Sequence, residues 1–457
     1  MQIIEYVRNR REKFLSELEE FLSIPSVSTQ PEHVPDIQRA AAWLRDRLLA
    51  TGFPTATVMP TQGHPVVYAE WLAAGSQAPT VLIYGHYDVQ PADPLDLWKT
   101  PPFEPTVVGD DLLARGAADD KGQVYVYLAA VQAFQATHGA PPVNVKCIFE
   151  GEEEIGSPHL DPFIAAHKGL LAADVALISD SHILGKDIPA IVYALRGLAY
   201  VEVAVTGPDH DLHSGLFGGA VNNPLNALCR MIAQLQDENG RILIPGFYDK
   251  VRELGADERA ELAKVPYDHA TWLSEAGVAM DWGEPAYTVV ERTTARPTLD
   301  VNGIWGGYTA PGTKTVLPGQ AFAKLSMRLV PDQTPAEITR LISDYLKRIA
   351  PPSVSIEVRD LHGGHGAIVN RDSAPMRAAF EAYQRAFGVS PIFIREGGSI
   401  PVVATFQREL GIDTLLMGFG LPDDRLHSPN EKFHIPNFYR GIETIVHFMT
   451  LLRGRAD

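Results

Sequence analysis

The sequence predicts an α/β protein, a largely parallel-sheet domain interrupted by an inserted ferredoxin-like α+β module. Three observations carry this reading. Over the first 196 residues, short continuous apolar runs alternate with helical patterns, the arrangement that builds parallel sheets. From 197 to 370 the texture becomes an alternation of apolar and polar residues, as in antiparallel strands with one wet face. A further apolar run at 414–419 then resumes the first pattern. The expected domains are therefore 1–196 with 371–457, and 197–370 inserted between them. A chain of 457 residues exceeds what one compact core usually organises.

Taken in order, Ile4, Val7, Phe14, Leu18, Phe21 and Leu22 recur at mostly three-to-four spacing, which predicts an amphipathic helix. A second helix is expected over 36–50, with Ile37, Ala41, Leu44 and Leu48 inward and Gly52 and Pro54 stopping it. The runs at 80–84, 143–149, 175–178 and 414–419 read as buried strands, and 122–134 as a helix with Val124, Leu128, Val131 and Phe134 inward. In the insert, 198–205 alternates as a half-buried strand and 224–235 reads as a helix. Strands follow near 298–308 and 320–329, then a helix over 335–349 and a last strand at 354–358. This β-α-β-β-α-β order is ferredoxin-like. Residues 240–297 read as surface helices and loops.

Composition narrows the function. The formal net charge of −17 opposes binding to nucleic acid or anionic membranes, because both would repel the chain. The two cysteines, Cys147 and Cys229, read as small core residues rather than a disulfide. The first residues are charged and lack the apolar core of a signal peptide, and no apolar run approaches spanning length. A soluble, cytoplasmic protein is expected.

Ligands of parallel sheets gather beyond the carboxyl ends of the strands. His86 and Asp88 follow the run at 80–84, Glu153 and Glu154 the run at 143–149, and Asp180 the run at 175–178. His427 lies within ten residues of the run at 414–419, and Asp119 precedes the helix at 122–134. Singly, each has an ordinary explanation, such as a solvated acidic turn or acidic residues at a helix N-terminus. Together they match a two-metal hydrolytic site, which needs imidazoles, terminal carboxylates and one carboxylate able to bridge the ions. One arrangement gives each ion one histidine and one terminal carboxylate, with Asp119 shared. Imidazole and carboxylate donors without cysteine suit zinc, manganese or cobalt.

The motifs YGHYDVQP (84–91), RGAADDKG (115–122), EGEEEIGS (150–157), ISD (178–180) and LHSPNE (426–431) resemble those of the dinuclear zinc peptidase family. That family holds aminoacylases, glutamate carboxypeptidases, desuccinylases and the cytosolic dipeptidases and carnosinases. The resemblance spans nearly the whole chain and implies a zinc-peptidase catalytic domain with an inserted lid and dimerisation domain. It implies that His86 and Asp180 serve one metal, Glu154 and His427 the other, and Asp119 both. Asp88 would orient His86, and Glu153 would be the general base toward a hydroxide held by the two ions. DLHSGLFGG (211–219) resembles a motif whose histidine, here His213, reaches a partner subunit's site and steadies the oxyanion. LSMRLVPDQTP (325–335) points to Arg328 as a clamp on a substrate carboxylate, since a guanidinium fork binds carboxylates bidentately. LHGG (361–364) and REGGSIP (395–401) point to His362, Gly398 and Ser399 on the substrate side, although HGAIVN after LHGG departs from the animal dipeptidases.

The resemblance thus implies a homodimeric, metal-dependent hydrolase of dipeptides or similar short peptides. An N-acyl-amino-acid amidohydrolase would use the same chemistry on other substrates. A catalytically inactive binding protein on the same fold is disfavoured by the full set of ligand types. The chain has no G-x-S-x-G elbow for a serine hydrolase.

Overall fold

A computed structural model describes residues 2–398 and 400–454. Two compact units emerge from it. The first comprises Met1–Tyr193, Val369–Ile394 and Thr405–Asp457, and the second Ala194–Ile368 with Arg395–Ala404. The sequence grouped 395–404 with the larger unit, whereas here that stretch clusters with the smaller one.

The first unit opens with two helices, α1 (Gln2–Asn9) and α2 (Arg11–Leu22), where periodicity alone predicts one. Residue spacing carries the apolar stripe across Arg10, but the backbone there leaves helical geometry, with φ −114° and ψ 14°. Helix α3 (Val34–Ala50) follows, then strands β1 (Thr55–Met59), β2 (Val66–Trp71) and β3 (Thr80–His86). Helix α4 (Lys121–His138) leads to β4 (Asn144–Glu150), β5 (Val175–Ile178) and β6 (Ala190–Leu195). Strands β3, β4 and β5 are buried almost throughout, as the continuous apolar runs require of a parallel sheet covered on both faces.

The second unit is built on β7 (Gly197–Thr206), helix α5 (Pro224–Ile232), β8 (Thr298–Gly306), β9 (Gln320–Leu329), helix α6 (Pro335–Ile349) and β10 (Ser355–Gly364). Its four strands are antiparallel in the order β8-β9-β7-β10, the ferredoxin-like pattern. Ala199, Val201, Val203 and Val205 of β7 join Leu228, Ile338 and Ile342 in one core, so the alternation marks the helix-covered face. Asn223 caps α5 by accepting from Leu225 N, and Thr334 caps α6 by accepting from Glu337 N. Strand β10 runs to Gly364, well past the expected end at 358, because a register shift between Asp360 and His362 disguises its alternation. Three short helices, Ala256–Leu262, His269–Ala276 and Val289–Thr294, occupy the irregular stretch.

The chain then returns to the first unit through helix α7 (Ala374–Phe387), strand β11 (Thr414–Leu416) and helix α8 (Ile435–Arg453). The sheet order is β1-β2-β4-β3-β5-β11-β6, with β4, β3, β5 and β11 parallel and antiparallel pairing outside them. Cys147 is buried in β4 as expected. Cys229 is exposed, contrary to expectation, because α5 turns Ala227, Leu228 and Met231 inward and leaves position 229 outside. Among the described residues, no helix is long and apolar enough to cross a membrane.

Candidate dinuclear metal centre

The site grows from the carboxyl ends of the parallel strands. His86 is the last residue of β3 and wholly buried, and its backbone N–H donates to Asp120 Oδ2 at 3.2 Å. Asp119 and Asp120, joined by a cis peptide, lead into α4, where the helix dipole favours negative charge. Beyond β4 the chain turns into a short helix, Glu153–Ile155. Beyond β5 comes Asp180, and beyond β11 the loop that carries His427.

Asp119 is the centre of the arrangement. Its Oδ1 lies 3.1 Å from His86 Nε2, and its Oδ2 lies 3.0 Å from His427 Nε2. His86 Nε2 is also 4.0 Å from Asp180 Oδ2, and His427 Nε2 is 3.2 Å from Glu154 Oε2. Two groups able to hold a metal ion result: His86, Asp119 and Asp180, and Asp119, Glu154 and His427. Within each group the donor atoms all lie within 4.8 Å of one another.

Asp88 touches both His86 and the glutamate turn. Its backbone carbonyl is 3.1 Å from His86 Nδ1 and its carboxylate 3.4 Å. The carboxylate accepts from Glu153 N at 3.2 Å and Glu154 N at 3.1 Å, so one buried side chain ties the β3 end to the glutamate turn.

Burial and close charged neighbours shift the titratable groups gathered here. Burial, reinforced by the charge of Asp119, pushes the Asp180 carboxyl up to about 7. Burial likewise drives Glu153 well above the usual carboxylate range. Hydrogen bonds to Asp119 and Glu154 raise the His427 imidazole to about 10. Burial opposes charge on His86, but Asp119 and Asp88 outweigh it and raise that imidazole too. Burial also opposes the charge on Asp119, yet the two histidines hold its carboxyl below the ordinary range. The donor set fits divalent ions: each group offers one imidazole nitrogen and one terminal carboxylate around the shared aspartate.

The substrate-side candidates fall in the second unit. His213 is exposed on a short bridge to Val316, and its Nδ1 accepts from Gly215 N at 3.0 Å. Arg328 pairs with Leu198 and Thr298 across the sheet and lines a cavity of about 360 Å³ with Arg196, Trp282, Arg296 and Asp300. Burial, then the like charge of Arg328, lowers the Arg196 guanidinium to about 10, so an anion there would relieve repulsion. His362 stacks on Tyr200 with centroids 5.1 Å apart. Gly398 is exposed, and Ser399 lies outside the described residues.

Two contributors escaped the motif reading. Gln90 Nε2 donates to Glu154 Oε2 at 2.8 Å. Glu431 accepts from Arg115 and from the backbone of the Asp119 turn. Burial pushes its carboxyl up to about 7, while four donors around it select the carboxylate form. Both residues stand inside recognisable motifs, YGHYDVQP and LHSPNE, which was the available signal. Their amide and carboxylate carry no ligand spacing of their own.

A parallel-sheet fold with paired imidazole and carboxylate groups around one aspartate is that of a metal-dependent hydrolase. The chain belongs to the peptidase family M20/M25/M40, which it matches over residues 82–451, and it is a metallopeptidase. It is 34% identical over 465 residues to the Cys-Gly metallodipeptidase DUG1 of Candida albicans, covering 97% of this chain and 95% of that protein. It is 33% identical over 468 residues to the human Beta-Ala-His dipeptidase, covering 98% and 91% respectively. Among solved structures, the M20 family metallo-carboxypeptidase Sso-CP2 from Sulfolobus solfataricus superposes with a TM-score of 0.84 at 35% identity, covering 96% of this chain and 99% of that one.

Proposed function

We propose that this chain hydrolyses the peptide bond of dipeptides and similar short peptides at a two-metal centre. The observation that supports it best is Asp119, whose two oxygens face two different imidazoles, each with its own terminal carboxylate. His86 and Asp180 would hold one ion, Glu154 and His427 the other. Zinc is the leading choice, with manganese or cobalt chemically suitable. Bound there, such ions polarise a carbonyl and acidify water. Glu153, as the carboxylate, would take a proton from water as general base and pass it to the leaving amine. Arg328 would receive the substrate carboxylate, and His362, Gly398 and Ser399 would serve the substrate side. His213 donates to the developing oxyanion. The dipeptidase names of two relatives support the substrate class.

The same reading has the chain act in the cytoplasm and as a homodimer through its second unit, with His213 offered across subunits. Its exposure supports that role. An active monomer in sedimentation would overturn it.

The likeness to a metallo-carboxypeptidase favours a second reading, removal of C-terminal residues from longer peptides. A substrate panel decides. Metal-loaded enzyme is incubated with α-dipeptides, β-alanyl-histidine, a tripeptide, N-acetyl-amino acids and N-succinyl-diaminopimelate, with and without chelator. Chelator-sensitive cleavage of free-amine dipeptides supports the proposal. Turnover mainly of the tripeptide supports the carboxypeptidase reading, and turnover only of acylated compounds an amidohydrolase.

A further inference from the structure

We infer that Glu431 is a positioning residue for the metal centre, a single buried carboxylate that fixes both the Asp119 turn and the His427 loop. This rests on the two-metal reading above. The Glu431 side chain is fully buried. Its Oε2 accepts from Arg115 Nη1 at 2.8 Å and Gly116 N at 2.9 Å. Its Oε1 accepts from Ala118 N at 3.0 Å and Asp119 N at 3.1 Å. The donors span residues 115 to 119, so the carboxylate gathers the whole turn that ends in the shared ligand.

The backbone of Glu431 is tied to the same region. Its carbonyl accepts from Ala114 N at 3.1 Å, and the next residue, Lys432, begins a strand paired with Leu113. Asn430 adds a second anchor, accepting from Lys99 N at 2.7 Å and donating to Leu97 O at 2.9 Å. These anchors matter because the loop ahead of them is conformationally costly. Arg425, His427 and Asn430 are non-glycine residues in the left-handed region, at φ 58°, 59° and 65°. Such backbones persist only where the surroundings over-determine them. The anchor at 430–431 therefore holds His427 in a geometry it would otherwise leave, while Glu431 holds its counterpart Asp119.

Glutamine at 431 would keep one oxygen for two donors and turn an amide NH2 toward the other two. One half of the clamp would open. Aspartate would keep both oxygens but withdraw them by one methylene.

The test titrates metal-free, full-length protein with Co2+, reading visible absorption and competition with a chelator, for wild type, Glu431→Gln, Glu431→Asp and Glu443→Gln. Glu443 pairs with Arg8 away from the metal ligands and serves as a control for a purely structural carboxylate. Wild type should take up two Co2+ per chain. Glu431→Gln should weaken Co2+ binding by about 10–100-fold and alter the cobalt spectrum, the range found when groups supporting ligands are lost. Glu431→Asp should fall between, and Glu443→Gln should lower Tm while leaving affinity and spectrum unchanged. Glu431→Gln binding Co2+ as wild type does would overturn the inference. If that variant does not fold, Glu431→Asp decides alone: unchanged affinity and spectrum overturn it, a loss supports it. A wild-type chain that takes up no Co2+ would instead overturn the two-metal reading.

Discussion

His427 Nε2 lies 3.0 Å from Asp119 Oδ2, while the opposite oxygen of the same carboxylate faces His86 Nε2 at 3.1 Å. One aspartate thus sits between two imidazoles from distant parts of the chain. A carboxylate presenting both oxygens in this way can join two cations.

Glu153→Gln should lower kcat by roughly 100- to 10,000-fold, the usual contribution of a general base. Metal content should stay at the wild-type value, because Glu153 belongs to neither candidate ligand group. Steady-state kinetics and elemental analysis on the same sample check both halves. A variant with near wild-type kcat would remove Glu153 from the mechanism.

Metal binding should stabilise the fold more as pH rises. His427 is raised to about 10 in the metal-free fold, so its contribution is complete below about 6.5 and fades as pH climbs toward that value. Asp180, raised to about 7, favours the neutral acid, so its contribution also disappears as pH rises from about 4 toward 7. The metal-free protein should therefore lose stability between pH 5.5 and 8 through these groups. Cations compete with the same protons and reverse the loss. The increment in Tm on adding Zn2+ should be larger at about pH 8 than at about pH 5.5. An increment independent of pH would contradict this balance of charge.

Asp88→Ala should weaken metal binding by about 10–100-fold and also lower Tm. The carboxylate it removes accepts from the backbone of Glu153 and Glu154, so the glutamate turn loses its anchor along with His86. Each donor left without an acceptor costs up to about 1–3 kcal/mol. Calorimetry and metal titration read the two effects separately.

Arg328→Ala should raise KM for dipeptides by about tenfold or more, as expected for losing a charge-assisted contact. Dipeptide amides, which lack the carboxylate, should show little change. Equal losses on both substrates would deny Arg328 a carboxylate partner.

Much of this was legible in the sequence, for reasons particular residues make plain. The buried runs at β3, β4 and β5 are continuous because both sheet faces are covered, and polar residues at their ends stand out against them. The ferredoxin-like unit was legible from Ala199, Val201, Val203 and Val205, whose alternation survives as one buried face. Where local geometry breaks a period, the reading failed: at Arg10, where one helix becomes two, and past Asp360, where the register shift hides the rest of β10. Glu431 and Gln90 were opaque because their partners are backbone amides and a carboxylate brought near only by folding.

Shared coordination of two metal ions by Asp119 would hold those ions a short, fixed distance apart. X-ray absorption at the zinc edge of the fully loaded protein tests it most directly. Two zinc ions per chain are expected, with a metal–metal vector of about 3.5–4 Å that is lost in Asp119→Ala. Two isolated zinc ions with no such vector, or a vector that survives in Asp119→Ala, would contradict it.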